Sequence, residues 1–367
     1  MQQGPADTAL VADAVPARRR SPALEIGTIV VIALLLIAAI AAGFASLYRE
    51  FWGPSAFVER YVHLLADGRA ADALAVPGVS IDTAELEKAG LSGFASDALL
   101  RSAALDDDIT GIRAVSETTA DGVTEVTLVY AIHGEPGRST FRVRQAGTNG
   151  LVPVWRFASS PLGVLDVAVH GSMTFEVNGF EIDKRQVSPD GLDADPQASV
   201  PLLAFVPMSY EVSVDTATTA ADPQRAVADE PLTVENVDVV AQPTPEFLDV
   251  VREQVASFLT DQCASQQVLQ PAGCPFWVSV ENRLARGSLP TWSIVQQPEI
   301  SLVPDGAYWR IEQTDGVAHI EMDVQSIATG VVTHVSEDVP FTIDGTVDIL
   351  ADGSAQIRIG APLLDGR

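Results

Sequence analysis

Residues 123–157 read VTEVTLVYAIHGEPGRSTFRVRQAGTNGLVPVWRF, and their hydrophobic pattern decides the fold of this part of the chain. Apolar residues recur at every second position in three runs, a spacing that places alternate side chains on opposite faces of a strand. Asp121-Gly122 and Pro136-Gly137 are turn signals between strands. The pattern therefore predicts three consecutive antiparallel strands, and a further strand is expected before them over residues 109–115.

Helices are predicted before these strands. The segment that begins at Pro54 has apolar residues at helical spacing, and proline suits the first turn of a helix. A short helix over Ala70–Leu74 and a broken helix over Leu86–Leu100 are expected to follow. Helices followed by antiparallel strands predict an α+β domain over residues 54–162, with the helices covering one face of the sheet.

This segment also resembles a known family. The run AFVERYVHLLADGRAADAL at residues 56–74 is similar to the opening of NTF2-like domains in anchored bacterial surface proteins. Trp155-Arg156-Phe157 is similar to the tryptophan-containing strand that ends their curved antiparallel sheet. The resemblance covers about 100 residues and implies that fold. The family includes enzymes as well as domains without known catalysis, and it transfers no catalytic residue to this chain.

A long uncharged stretch precedes that domain. Residues 26–47 carry no charge and would span about 33 Å as a helix, enough for a hydrocarbon core of about 30 Å. Arg18, Arg19 and Arg20 lie just before it, so the positive-inside rule places the N-terminus in the cytoplasm. We therefore expect a disordered cytoplasmic tail over 1–22, a transmembrane helix over 26–47 and a single-pass protein of the cell membrane with the bulk of the chain extracytoplasmic. A cleaved signal peptide is the alternative.

Two further domains are predicted downstream. Alternating runs around Asn178-Gly179, a strong hairpin signal, indicate a small all-β, β-sandwich-like domain over residues 165–240. Thr244 and Pro245 then start an amphipathic helix that precedes more strands, which predicts a second α+β domain over 244–367. The predicted fold class is thus α+β: an N-terminal transmembrane helix, an NTF2-like helix-plus-curved-antiparallel-sheet domain, a small all-β domain and a second α+β domain.

Composition narrows the possible partners. The chain has 367 residues, a hydrophobic fraction of 47% and a formal net charge of −27. No cluster of lysine and arginine follows Arg20, so nucleic acid is not expected as a partner. The scarcity of lysine relative to arginine resembles proteins of GC-rich bacteria, actinobacteria among them. Cys263 and Cys274 are expected to form a disulfide because the predicted compartment is oxidising.

The motifs of known catalytic sites are missing from the sequence. There is no nucleophile elbow, zinc-protease motif, phosphate-binding loop or dinucleotide fingerprint, and the histidines are scattered. Asp190, Asp193 and Asp195 are candidate calcium ligands, but their spacing departs from that of an EF-hand and favours an acidic turn. We therefore predict no catalytic residues, no metal and no cofactor.

Three arginines form the candidate ligand site. Arg142 and Arg144 share one face of a predicted strand, and Arg156 joins them if the sheet is curved. Their guanidinium groups would suit a carboxylate or phosphate ligand. The alternative is a solvated sheet face whose arginines pair with nearby acids.

These observations favour a non-enzymatic function. The sequence predicts a membrane-anchored extracytoplasmic binding or interaction protein of the bacterial cell envelope, with the lipid bilayer and an envelope protein or cell-wall component as partners. The alternative is a small-ligand binder or enzyme that uses a pocket in the NTF2-like domain. Sensing across the membrane is a third hypothesis, which the short predicted tail disfavours.

Overall fold

The computed structural model describes residues 22–360 apart from residues 107, 151, 307 and 350–354. The predicted tail over residues 1–22 and the last residues of the third predicted domain lie almost entirely outside this part of the chain. The fold is mostly β, with 46% strand and 22% helix arranged around several sheets. The α+β fold class is therefore wrong for the chain as a whole, because most of its helices are short and its core is built on strands.

The helices of the described residues lie mainly in the N-terminal part. They are α1 (Pro22–Trp52), α2 (Pro54–Ala66), α3 (Ala70–Leu74), α4 (Thr83–Lys88), α5 (Lys184–Val187) and α6 (Pro245–Ser257). The broken helix predicted over Leu86–Leu100 is reduced to α4, which Asp82 caps by accepting a hydrogen bond from the Glu85 amide at 2.8 Å. Gly90 follows it at a φ of +79°, a left-handed conformation that ends helices.

No helix of the described residues is long and apolar enough to cross a membrane. The transmembrane helix predicted over residues 26–47 is therefore wrong, and so is the single-pass membrane location that depended on it.

The strands form four sheets. The first sheet contains, in spatial order, β1 (Ile109–Ala120), β2 (Val123–Ile132), β3 (Glu135–Asn149) and β4 (Val152–Phe157). All neighbouring strands in it are antiparallel, as the alternation predicts. The helix α2 packs against this sheet through the side chains that face inward.

Two sheets make the next part of the chain. Its strands are β5 (Leu162–His170), β6 (Thr174–Val177), β7 (Phe180–Asp183), β8 (Val200–Phe205), β9 (Met208–Asp215), β10 (Thr219–Ala228), β11 (Val234–Val240) and β12 (Gln242–Pro243). One sheet has the order β11-β5-β8 and the other β12-β10-β9-β6-β7. Asn178 and Gly179 both have positive φ between the paired residues Val177 and Phe180, which confirms the predicted hairpin turn.

One hydrophobic core serves both of these parts. It extends from Phe57 in α2 to Ala241 after β11, and it includes the inward faces of the first three sheets. Inside the first sheet, the rings of Phe57, Tyr61, Phe141 and Phe157 pack with centroid separations that include 5.2 Å for Phe57–Phe157 and 5.1 Å for Tyr61–Phe157. These rings fill the space between α2 and the sheet.

A buried lysine ties down the loop before β8. Lys184 is 1% exposed, and its Nζ donates to the carbonyl oxygens of Val169 at 2.6 Å, Pro196 at 2.6 Å and Ala198 at 3.3 Å. Burial lowers the pKa of Lys184 to about 8, and the Asp195 carboxylate opposes that shift. Three carbonyl acceptors match the three N–H donors of the ammonium group, so this side chain fixes a loop that lacks regular structure.

The third part has a separate core and a long hairpin. Its strands are β13 (Arg283–Leu284), β14 (Thr291–Gln296), β15 (Leu302–Asp305), β16 (Tyr308–Gln325), β17 (Val332–Ile349) and β18 (Ala355–Ile359). Thr244 caps α6 by accepting a hydrogen bond from the Phe247 amide at 3.2 Å, as predicted. Cys263 and Cys274 form the expected disulfide, with their Cα atoms 5.7 Å apart.

Candidate functional site: an arginine face on the first sheet

The register of the first sheet brings the three predicted arginines to one face. Arg144 on β3 lies directly opposite Arg156 on β4, and Arg142 on β3 lies opposite Glu125 on β2. The intervening residues Phe141 and Val143 are buried on the other face. Strand alternation therefore points the three arginines away from α2, toward the outer surface of the sheet.

Two further arginines belong to the same face, and sequence reasoning missed both. Val129 on β2 is paired with Arg113 on β1 and with Arg138 on β3, so the two arginines flank it. Arg138 could have been found, because it has the same alternation as Arg142 and Arg144. Arg113 could not, because the pairing of β1 with β2 shifts register on both sides of it.

We call Arg113, Arg138, Arg142, Arg144 and Arg156 together the arginine face. Its paired rows are Arg113–Val129–Arg138, Ser116–Thr127–Thr140, Thr118–Glu125–Arg142 and Ala120–Val123–Arg144–Arg156. Along β3 the arginines at 138, 142 and 144 are separated by about 14 Å and about 7 Å, given a rise of about 3.4 Å per residue. Neighbouring strands add a spacing of about 4.8 Å across the rows. The charges thus form an array in two dimensions.

Little negative charge balances this array. Glu125 is the one acidic residue in these rows, and its carboxylate lies 3.7 Å from the guanidinium of Arg142. Both side chains are more than half exposed, so the pair contributes little. Among the described residues, the other four arginines form no ion pair within 4 Å, and the buried Nε of Arg156 has no hydrogen-bond partner. The face is therefore available to an external anion.

A cleft of about 510 Å³ lies at one end of the arginine face. Arg113 and Arg138 stand on its two sides with Val129 between them, and no acidic residue lines it. Clefts of this volume lie within the usual range of about 300–1,000 Å³ for ligand sites. Its concave surface brings two guanidinium groups toward one small volume, which favours a bound carboxylate or phosphate.

Packing on the inner side holds this end of the sheet in place. The Tyr130 ring lies over Gly137, where an added Cβ would come within 2.2 Å of its Cε2 atom. The Tyr130 hydroxyl shares a hydrogen bond of 2.7 Å with Ser139, whose hydroxyl in turn donates to the Asp229 carbonyl. Burial raises the pKa of Tyr130 to about 12. The strand that carries Arg138 is thus fixed on both sides of that arginine.

The other candidates from the sequence do not assemble into a site. Asp190, Asp193 and Asp195 lie in a loop around a short 3₁₀ turn, and the described residues contain no group of three ligands that could hold a metal ion. The Asp195 carboxylate instead accepts a hydrogen bond from the Gln197 amide at 2.8 Å. Histidines in the described strands mostly contact single carboxylates, as His334 does with Asp323 at 2.9 Å.

Comparison with known proteins adds no family to this description. The chain matches no protein-family profile, no curated protein and no solved structure. The resemblance to NTF2-like domains therefore stays a prediction, and the function has to be argued from the geometry alone.

Proposed function

We propose that this chain is a non-catalytic binding protein that recognises an anionic group of its partner on the arginine face. The observation that carries the proposal is the clustering of Arg113, Arg138, Arg142, Arg144 and Arg156 on one sheet face of a chain whose net charge is −27. Positive charges clustered in this way repel one another, and a bound anion would relieve that repulsion.

The chemistry of the partner follows from the array. Guanidinium groups bind carboxylates and phosphates through paired N–H donors, and arginines spaced about 14 Å and about 7 Å apart along β3 suit a ligand with more than one anionic group. An acidic protein segment and a phosphate-bearing molecule share this chemistry. The envelope partner expected from the sequence depended on the membrane location and does not enter the proposal.

The alternative function from the sequence needs a cavity inside the first sheet. The aromatic rings of Phe57, Tyr61, Phe141 and Phe157 occupy that space, and Tyr61 is fully buried among them. A small-ligand site or active site in this interior would require these rings to move. The outer face offers the better-supported location because four of its five arginines are already exposed.

Calorimetric titration with two probes tests the proposal. Hexaglutamate presents carboxylates and tripolyphosphate presents phosphates, so the stronger binder identifies the source of the anion. The variant R142Q/R144Q/R156Q should lose about tenfold or more in affinity, equivalent to about 1.4 kcal/mol. Arg225, Arg252 and Arg310 each pair with a surface acid elsewhere, so R225Q/R252Q/R310Q removes the same charge as a control.

The two variants separate local recognition from general electrostatics. If both lose affinity equally, the effect is one of net charge and the proposal is wrong. If neither probe binds the wild-type protein in low salt, the arginine face is only a solvated surface and the proposal is also wrong.

A further inference from the structure

A chain of hydrogen bonds crosses one face of the long hairpin formed by β16 and β17. The Asp338 carboxylate lies 2.6 Å from Nδ1 of His319, and the Ser336 hydroxyl lies 3.1 Å from Nε2 of the same ring. Because an ionised carboxylate only accepts hydrogen bonds, Nδ1 of the neutral ring donates to Asp338 and Nε2 accepts from Ser336. We call Ser336, His319 and Asp338 together the hairpin trio.

Strand pairing explains how the three side chains of the hairpin trio meet. Asp338 lies directly opposite His319, and Ser336 is two residues before Asp338 on β17, so all three share one face of the sheet. Ile320 and Met322 are buried on the other face. The serine and the aspartate are 17 and 19 residues from the histidine in the chain, too far apart for a local motif. The trio therefore forms only when the hairpin does.

The arrangement suits activation of the Ser336 hydroxyl. A serine hydroxyl is a weak nucleophile by itself, and it becomes effective when a neighbouring base takes its proton during the attack. His319 is placed to be that base, and Asp338 holds the ring in the tautomer whose Nε2 can accept the proton. The Glu321 carboxylate lies 3.8 Å from Nε2 and would stabilise the positive charge that the ring then acquires.

A second histidine on the same hairpin shows what distinguishes the trio. Nδ1 of His334 lies 2.9 Å from the Asp323 carboxylate, much as Nδ1 of His319 lies near Asp338. Among the described residues, no serine or threonine hydroxyl contacts the other ring nitrogen of His334. The His334 side chain is also 62% exposed, against 24% for His319. An ordinary surface pair thus ends at the carboxylate, whereas His319 connects its carboxylate to a hydroxyl.

The backbone of Ser336 supplies a further group. The Asp323 amide donates to the Ser288 hydroxyl and its carbonyl accepts from the Ala285 amide, so both point away from β17. The direction alternates along an antiparallel pair, so Glu321 does the same, and the backbone groups of Ser336 opposite it point away from β16. Among the described strands, only β16 pairs with this stretch of β17. An amide at this open edge, beside the nucleophile, is suited to stabilise a developing oxyanion.

We propose that Ser336 is a covalent modification site that accepts an acyl group from an activated ester or thioester. Ser336 Oγ attacks the carbonyl carbon while its proton passes to Nε2 of His319, and the oxyanion of the tetrahedral intermediate accepts from the Ser336 amide. The bond between the carbon and the leaving oxygen or sulfur then breaks. The leaving group takes the proton from His319, and an O-acyl serine remains.

This modification goes beyond the proposed function and does not depend on it. The hairpin trio belongs to the sheet of the third part of the chain, whereas the arginine face belongs to the first sheet. The reaction is a single event per chain without turnover, so it is compatible with a non-catalytic binding protein. The trio lies on an open sheet face, so the acyl donor has to carry a group that leaves readily.

Reaction with p-nitrophenyl acetate, followed by mass spectrometry of the full chain, tests the inference. We expect one retained acetyl group at Ser336, which peptide mapping separates from any acetylated Lys88 or Lys184. S336A should lose this acetyl group. S293A is the matched control and should keep it, because Ser293 on β14 lies opposite His319 on the other side but is not part of the trio.

Variants of the histidine and the aspartate separate chemistry from structure. H319G should react at least about 100-fold more slowly, and added imidazole should restore much of the rate because it replaces the missing base. D338N should react about tenfold or more slowly, and D338E should recover part of that loss because it restores a carboxylate beside the ring. H334Q/D323N alters the other histidine pair of the hairpin and should keep the wild-type rate.

Several results would overturn the inference. One is an absence of acetyl at Ser336 in the wild-type protein. Another is an H319G variant that reacts at the wild-type rate, or one whose slow reaction imidazole does not accelerate. Continued release of p-nitrophenol without a retained acetyl group would also overturn it, because that result shows hydrolysis instead of modification.

Discussion

Arg144 on β3 and Arg156 on β4 lie directly opposite each other on the outer face of the first sheet. Like charges at such cross-strand positions are destabilising, so the pair is a cost to the fold unless something neutralises it. Among the described residues no acid pairs with either arginine. This relationship, more than the number of arginines, indicates a surface that is shaped for an external anion.

The acid on this face should oppose anion binding. We expect Glu125→Gln to increase the affinity for hexaglutamate about two- to fivefold, because it removes a repulsive charge and frees Arg142. The free energy of unfolding should change by less than about 0.5 kcal/mol, since both side chains are exposed. Titration of the variant beside the wild type measures the first effect and chemical denaturation measures the second. A weaker affinity in E125Q would show that Glu125 orients Arg142 for binding.

The contact between Tyr130 and Gly137 should be intolerant of even one methyl group. Gly137→Ala places a Cβ within 2.2 Å of the Tyr130 ring, and we expect a loss of about 1–3 kcal/mol in the free energy of unfolding. Gly147→Ala is the matched control, because an added Cβ there meets nothing within 4 Å and its φ is not positive. Urea denaturation of both variants compares them, and equal stability of G137A and G147A would contradict the packing.

Lys184 should stabilise the loop before β8. Lys184→Met leaves the carbonyls of Val169, Pro196 and Ala198 without their donor, and we expect a loss of about 2–3 kcal/mol at pH 7. Denaturation with the loop monitored by hydrogen exchange measures the change.

The same residue predicts a pH dependence. In the folded protein the pKa of Lys184 is about 8, against 10.5 ordinarily, so between these values the unfolded chain binds more protons. The free energy of unfolding contributed by this group therefore rises as pH rises from about 8 to about 10.5. The stability difference between wild type and K184M should grow over this range, and a shrinking difference would contradict the assignment.

Local signals in the sequence predicted much of the secondary structure. The alternation over residues 123–157 predicted the antiparallel strands, and Asn178-Gly179 predicted a hairpin. Thr244 with Pro245 predicted the start of α6. Each of these features depends on residues that are neighbours in the chain. The Cys263–Cys274 disulfide was also predicted correctly. The overall fold class was predicted wrongly, because the balance of helix and strand depends on how each short apolar segment packs.

The candidate site was only partly predictable, for a related reason. Arg142 and Arg144 follow from alternation within one strand, whereas Arg113 joins them through cross-strand pairing that bulges shift. The parallel pairing of β11 with β5 is likewise a contact between distant segments. Such pairings carry no local sequence signal, so the surfaces they create appear only in the folded chain.

The most direct test of the central claim is an NMR measurement of the arginine side chains themselves. Hexaglutamate or tripolyphosphate is titrated into the labelled protein while the Nε–Hε signals of all arginines are followed. We predict that the signals of the arginine face shift together and saturate, with Arg144 and Arg156 among the largest, while those of Arg225 and Arg252 stay in place. Uniform small shifts across all arginines, or saturable shifts only outside the first sheet, would contradict the account.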